Sequence, residues 1–203
     1  MDQMDRNNYV RLCGVMASAP VFSHSSRGLD FFTFPLTVER LSGAADTLNI
    51  LVRREQLAAL EPADAGKLCL TGEVRSFNSR RGVGARLVIT VLARELSFSD
   101  EPDANLVQLS GTLCKEPNLR TTPMGREICD LMLAVNRRYG RSDYLPCICW
   151  GAAAREAARW IVGTAVRLEG RMQSRDYIKL GPDGPVQRTA FEISATQLRR
   201  EDA

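Results

Sequence analysis

Residues 143–151 read DYLPCICWG and show the alternation of a β-strand. Because successive side chains of an extended chain point to opposite faces, Tyr144 and Trp150 share one face with the proline and the isoleucine between them. Leu145, Cys147 and Cys149 point to the other face, and cysteine packs in a core as a small apolar residue. The stretch therefore predicts a strand with one buried face and one aromatic face.

The whole chain has the composition of a folded protein. Its 203 residues are 44% hydrophobic and 25% charged, which suits one large domain or two of about 100 residues. The first residues, MDQMDRNNYV, are polar and acidic, unlike a secretory signal, and no run approaches the roughly 18 to 20 apolar residues of a membrane span. We therefore expect a cytoplasmic protein with no membrane segment.

The cysteines do not form a metal-binding pattern. The six of them lie in apolar, strand-like runs without a CxxC pair, and the single histidine, His24, lies in a serine-rich segment. This pattern predicts reduced, mostly buried thiols and no metal site. The sequence also contains no phosphate-binding glycine motif, paired carboxylates or catalytic triad, so we expect no enzyme activity and no cofactor.

The sequence contains an internal repeat. Sliding the chain against itself by 97 positions aligns Val10 with Val107, Gly14 with Gly111, Pro20 with Pro117, Gly28 with Gly125 and Leu48 with Leu145. Agreement of so many glycines and prolines indicates a duplication with small changes in loops. The polar, acidic stretch SFSDEPDAN (97–105) predicts a linker at 99–104 between a first domain of residues 1–98 and a second of residues 105–203.

Each half predicts three strands, a short helix and two more strands. In the second half the strands are LVQLSGTL, ICDLMLAVN, DYLPCICW, AVRLEGRMQSRDY and VQRTAFEISATQL, and the helix is AAAREAARWIVG (152–163). On that helix Trp160 lies with Ala153, Ala157 and Ile161 at a spacing that predicts core packing. Five strands with a helix between the third and fourth is the order of the OB-fold, so the predicted fold is all-β, with two tandem five-stranded Greek-key barrels.

The second half resembles the bacterial single-stranded DNA-binding protein family over about residues 105–199. The resemblance rests on EPNLRTTPMG (116–125), LAVNR (133–137) and EGRMQSRDY (169–177), in this order and at the family's spacings. The first half resembles the same family more weakly. The resemblance implies that bases of a single strand stack on aromatic residues at four positions, which are Tyr139, Tyr144, Trp150 and Tyr177 in this sequence.

Basic residues accompany the predicted stacking positions. In AVRLEGRMQSRDY, alternation leaves Arg171 and Arg175 on the face that ends in Tyr177. We predict that these two arginines contact phosphates, together with Arg137 and Arg138 in the loop before Tyr139. Only three of the 27 basic residues are lysines; the excess of arginine suits nucleic acid, although a G+C-rich genome produces the same bias.

The first half lacks the aromatic residues at the equivalent positions, which are Ser42, Thr47, Arg53 and Ser79. Since each stacked base contributes roughly 1 to 3 kcal/mol, the loss of four rings outweighs the attraction of a few solvated arginines. We therefore expect the first half to bind nucleic acid weakly, through charge, or to act mainly in assembly.

The resemblance also implies partners. Family members work as assemblies of four OB domains, so a chain with two of them is expected to form a homodimer that binds single-stranded DNA in replication, recombination or repair. The family usually carries a flexible tail with an acidic tip that recruits replication proteins. This sequence ends at QLRREDA, so we expect no recruitment through a tail.

Two other functions fit the same residues. One is an accessory OB-fold assembly protein of primosomal or mobile-element type, whose main ligand is another replication protein. It is favoured by the altered first half. The other is an RNA-binding OB protein, which competition between DNA and RNA oligomers distinguishes.

Overall fold

The computed structural model describes residues 7–60, 66–79, 86–137, 140–181 and 184–201. The first half contains β1 (Asn8–Met16), β2 (Val21–Ser26), β3 (Leu29–Glu39), β4 (Ala45–Arg53), α1 (Arg54–Ala58), β5 (Lys67–Ser79) and β6 (Arg86–Ser99). The second half repeats this order with β7 (Ala104–Leu113), β8 (Asn118–Thr121), β9 (Glu127–Asn136), β10 (Ser142–Trp150), α2 (Gly151–Ala157), β11 (Ala165–Gly181) and β12 (Gly184–Arg200). The predicted all-β fold is confirmed.

Five strands of the first half close into a barrel. Strand β3 pairs with β4, β4 pairs in parallel with β6, β6 pairs with β5, and β5 pairs with β1. The last edge closes where Val15 and Met16 of β1 pair with Thr37 and Leu36 of β3. This closed order with one parallel pair, and a helix after the third barrel strand, is that of the OB-fold.

The second half closes in the same way. Strand β9 pairs with β10, β10 with β12 in parallel, β12 with β11, and β11 with β7. Thr112 and Leu113 of β7 close the barrel against Ala134 and Leu133 of β9. Alternate apolar residues of the strands fill the interior, and the buried side chains of both halves belong to one contiguous core.

The two barrels join edge to edge. Strands β1 and β7 pair antiparallel, with Val10 opposite Val107, and with Asn8 opposite Leu109 and Leu12 opposite Asn105 on either side. If each residue of the pair Asn8–Leu109 is replaced by its repeat equivalent 97 positions away, the result is the pair Leu12–Asn105. The pairing therefore has a pseudo-two-fold axis near Val10 and Val107.

The structure differs from the predicted elements in two respects. The segment after the first strand of each half, where no strand was predicted, contains the short strands β2 and β8, which pair with β3 and β9. The helices are also shorter than predicted, since α2 ends at Ala157. Trp160 still packs against the core, half-buried, from the turn that follows. The prediction was wrong for Ile161, which is 74% exposed because the helical spacing no longer applies to it.

The cysteines also differ in part from the prediction of six reduced thiols. Cys13 and Cys69, which face each other across β1 and β5, form a disulfide, whereas Cys114, Cys129, Cys147 and Cys149 are free. Across the described residues, neither α1 nor α2 is long and apolar enough to cross a membrane.

Candidate nucleic-acid interface

Strand β10 presents two aromatic rings on the outside of the second barrel. Tyr144 is 50% exposed and Trp150 is 39% exposed, whereas Leu145, Cys147 and Cys149, which lie between them in the sequence, are buried. Strand β9 lies along one edge of β10 and places Ala134 opposite Tyr144. The two rings are six positions apart along one strand face, which is about 20 Å at the rise of a β-strand.

The buried cysteines of β10 have no reactive character. Burial raises the pKa of the Cys149 thiol to about 12 and raises the pKa of Cys147 as well. Both thiols therefore stay protonated at neutral pH, and a protonated thiol is neither a nucleophile nor a metal ligand. Within the described ranges, no cluster of three or more His, Cys, Asp or Glu side chains is arranged to hold a metal ion.

Strand β11 supplies the third described aromatic position and two of the predicted cations. Its inward residues Val166, Leu168, Gly170 and Met172 are buried. Tyr177 is 39% exposed, Arg175 is exposed and Arg171 is half-buried. The Nε of Arg171 is buried without a hydrogen-bond partner in the described structure, so this guanidinium has an unused donor, which is costly to bury unless a ligand or water satisfies it.

Arg137 is engaged in a contact between the two halves. Its Nε donates to Oδ2 of Asp143 at 2.7 Å, and its Nη2 donates to the carbonyl oxygen of Ser76 at 2.9 Å. Asp143 is fully buried and also accepts from the backbone N–H of Ser76, at 2.6 Å, and from Nη1 of Arg75, at 2.9 Å. The guanidinium of Arg137 thus neutralises a buried carboxylate, and its contact with a phosphate stays a prediction.

The same contact occurs once more, with the halves exchanged. Arg40 donates to Asp46 at 2.7 and 2.5 Å, and the buried Asp46 accepts from the backbone N–H of Ser174 at 2.8 Å. Ser174 Oγ in turn accepts from the N–H of Thr47 at 3.1 Å. Its counterpart, Ser76 Oγ, accepts from the N–H of Tyr144 at 2.7 Å. Both contacts fix the strand that carries Tyr144, or its equivalent Thr47, to the other half.

These junction residues were not predicted from the sequence. The repeat aligns Arg40 with Arg137 and Asp46 with Asp143, and a repeated Arg–Asp pair near predicted strand ends was the available signal. Two predicted site residues, Arg138 and Tyr139, lie outside the described residues. The structure thus brings Tyr144 and Trp150 onto one strand face, places Tyr177, Arg171 and Arg175 on β11, and pairs Arg137 with the buried Asp143.

Comparison with known proteins agrees with this architecture. The model of the Single-strand binding protein family matches residues 104–200, which form the second half of the chain. Single-stranded DNA-binding protein 2 of Listeria innocua is 36% identical over 80 residues, which are 36% of this chain and 50% of the relative. Single-stranded DNA-binding protein A of Bacillus subtilis is 35% identical over 80 residues, or 36% of this chain and 46% of the relative. The chain thus spans about half the length of these curated relatives.

One solved structure matches both halves together. The wild-type single-stranded DNA binding protein from Thermus aquaticus superimposes with a TM-score of 0.76 at 21% identity, covering 97% of this chain and 93% of that one. At this identity the match concerns the fold. It shows that the tandem arrangement of the two halves also occurs in another protein.

Proposed function

We propose that the chain binds single-stranded DNA, with little sequence preference, on the outer face of the second barrel. The observation that carries the proposal is the pair of large rings held out of the core by β10. Alternate residues of β10 pack in the barrel core, and Tyr144 and Trp150 on its other face are exposed. Exposed rings on a strand face are the usual platform for bases of a single strand, and every base has a face to stack. The family match of the same residues supports this ligand.

Tyr144, Trp150 and Tyr177 are the stacking residues of this proposal, and Tyr139 is included on the sequence resemblance. Arg171 and Arg175 on β11 are the phosphate contacts, with Arg138 predicted from the sequence. Arg171 and Arg175 lie where they could contact the DNA backbone beside the stacked bases, and this part of the binding weakens as salt rises. The mechanism is passive binding without catalysis or a cofactor.

The assembly and the cellular setting belong to the same proposal. We propose a homodimer, which brings four barrels together, acting in the cytoplasm on single strands exposed during replication, recombination or repair. Replication proteins are the proposed protein partners.

Tryptophan fluorescence tests the proposal directly, because the chain has only two tryptophans. In a Trp160→Phe variant the emission comes from Trp150 alone. We expect oligo(dT) to quench this emission, and substantial affinity to remain as salt is raised, since stacking is not screened. A matched RNA oligomer measures the preference between the two nucleic acids.

The opposite result has a clear meaning. Binding that is abolished by modest salt and leaves Trp150 emission unchanged shows that charge alone acts and that the β10 rings are not the platform. The accessory assembly protein is then the better description of the chain.

A further inference from the structure

The first half carries an aromatic residue at the place where its stacking position was predicted to be empty. In the second half Trp150 of β10 pairs with Ile128 of β9. The repeat equivalents in the first half are Arg53 of β4 and Phe31 of β3, which also pair with each other. At this place in the first barrel the aromatic ring is therefore carried by β3, the equivalent of β9, whereas in the second barrel it is carried by β10.

Phe31 lies on the outer face of this barrel. The residues that alternate in phase with it along β3, Thr33 and Pro35, are half-buried, whereas Phe34 and Leu36 are buried in the core. Trp150 occupies the corresponding face of the second barrel. The sequence comparison missed Phe31, because aligning the repeats compares positions along the chain and does not show which residues face each other across two strands.

A histidine completes a ring platform at Phe31. His24 of β2 pairs with Phe31, and the imidazole stacks on the phenyl ring with 5.0 Å between centroids and 9° between planes. Each residue of β2 is exposed. Phe31 itself is half-buried, so the exposed imidazole presents the free face of this ring stack, a surface of the kind on which a nucleobase stacks.

The charges around this patch favour an anion. Within the described part of the chain Arg53 pairs with no carboxylate, and the carboxylate of Asp30 is occupied by Arg54 at 2.8 Å and by the hydroxyl of Ser25. The second barrel differs here, because the equivalent of Thr33 is Asp130, which binds a nearby arginine at 2.6 and 2.9 Å. The first barrel thus has a cation beside its rings and no acidic residue at that position.

We propose that His24, Phe31 and Arg53 form a second subsite for single-stranded DNA, in which a base stacks on the two rings and Arg53 contacts a phosphate. The inference rests on the proposed function, since it extends the same strand onto the first barrel. It replaces the expectation that this barrel binds only through diffuse charge.

Two lengths of oligo(dT) and four variants of the full chain test the subsite. An oligomer of about 8 nucleotides lies within the range that one OB-fold covers, and one of about 30 nucleotides reaches two of them. We expect a Phe31→Leu/His24→Ser variant to bind the short oligomer with unchanged affinity and the long one about tenfold more weakly. Trp150→Ala is expected to weaken the binding of both.

Phe22→Leu is the matched control. Phe22 is also an exposed aromatic of β2, at 56%, but its ring meets Phe32 edge-on, on the other side of the hairpin from the Phe31 pair. This variant is expected to bind both oligomers as the unaltered chain does. His24→Ser alone changes only an exposed side chain, so it preserves the test if the change at Phe31 disturbs folding.

Photocrosslinking to an oligomer that carries 5-iododeoxyuridine gives an independent result. A crosslink to the tryptic peptides of residues 12–27 or 28–40, which contain His24 and Phe31, supports the subsite. Unchanged affinity of the double variant for the long oligomer, or crosslinks confined to the second half, overturns it. The proposed function fails separately, if Trp150→Ala leaves the binding of both oligomers unchanged.

Discussion

At the residue scale, the two tryptophans are expected to respond in opposite ways to substitution. Trp150 is exposed on β10, so Trp150→Ala should weaken oligo(dT) binding by roughly 1 to 3 kcal/mol, the contribution of one stacked base, with little loss of stability. Trp160 packs half-buried against the core. Trp160→Ala should therefore lower the free energy of unfolding by about 1.5 to 3 kcal/mol, with oligo(dT) affinity retained. Urea unfolding and oligonucleotide titration of both variants measure the two effects.

Each tryptophan variant is the control for the other. A loss of stability in Trp150→Ala as large as that in Trp160→Ala would show that Trp150 is a structural residue, and the proposed platform on β10 would be wrong.

At the element scale, the repeated glycines mark places where strands approach too closely for a side chain. A Cβ added at Gly170 of β11 would lie 2.2 Å from the carbonyl oxygen of Ser194 on β12, and one at Gly72 would lie 2.3 Å from that of Leu92. Both glycines stand where the strand register shifts, and backbone atoms cannot move aside as a flexible side chain does. Gly72 and Gly170, which lie 98 positions apart, therefore mark the same bulge in each barrel.

Gly170→Ala is expected to lower the free energy of unfolding by about 1 to 3 kcal/mol, the usual cost of overpacking. Urea unfolding measures this cost. Gly125→Asn is the matched control, since Gly125 has φ +75 and open space around it, and asparagine adopts this left-handed conformation readily, at a cost under about 1 kcal/mol. Equal losses in the two variants would show that the contact between β11 and β12 relaxes.

The sequence predicted the long elements better than the short ones. Alternation identified β10 and β11 because each has one face in the barrel core, and burial enforces period 2. It did not identify β2, whose side chains are all exposed, since no core selects a pattern there. The contact of Asp143 with Ser76 was also beyond reach, because these residues meet only when the two halves are joined, whereas the repeated Arg–Asp pair was visible in the sequence.

At the scale of the whole molecule, the β1–β7 pairing and the two carboxylate contacts join the halves, and we expect them to unfold as one cooperative unit. Asp143 binds Arg137 of its own barrel and also binds Arg75 and the backbone N–H of Ser76 in the other barrel. Asp46 binds Arg40 of its own barrel and the backbone N–H of Ser174 in the other. Removing a buried carboxylate leaves its arginine partners uncompensated, at a cost of about 3 to 5 kcal/mol. Asp143→Ala should therefore destabilise the protein more than Asp46→Ala, because it leaves Arg137 without its carboxylate and also removes one of the two carboxylates that Arg75 contacts.

Calorimetry distinguishes a coupled molecule from two independent barrels. We expect the unaltered chain to unfold in one transition, and a variant with both Asp46→Ala and Asp143→Ala to unfold in two, because the contacts that these two carboxylates make with the other half would be lost. Two transitions in the unaltered chain would contradict this prediction. The contacts would then serve to orient the barrels, with Tyr144 fixed against Ser76, without coupling their stability.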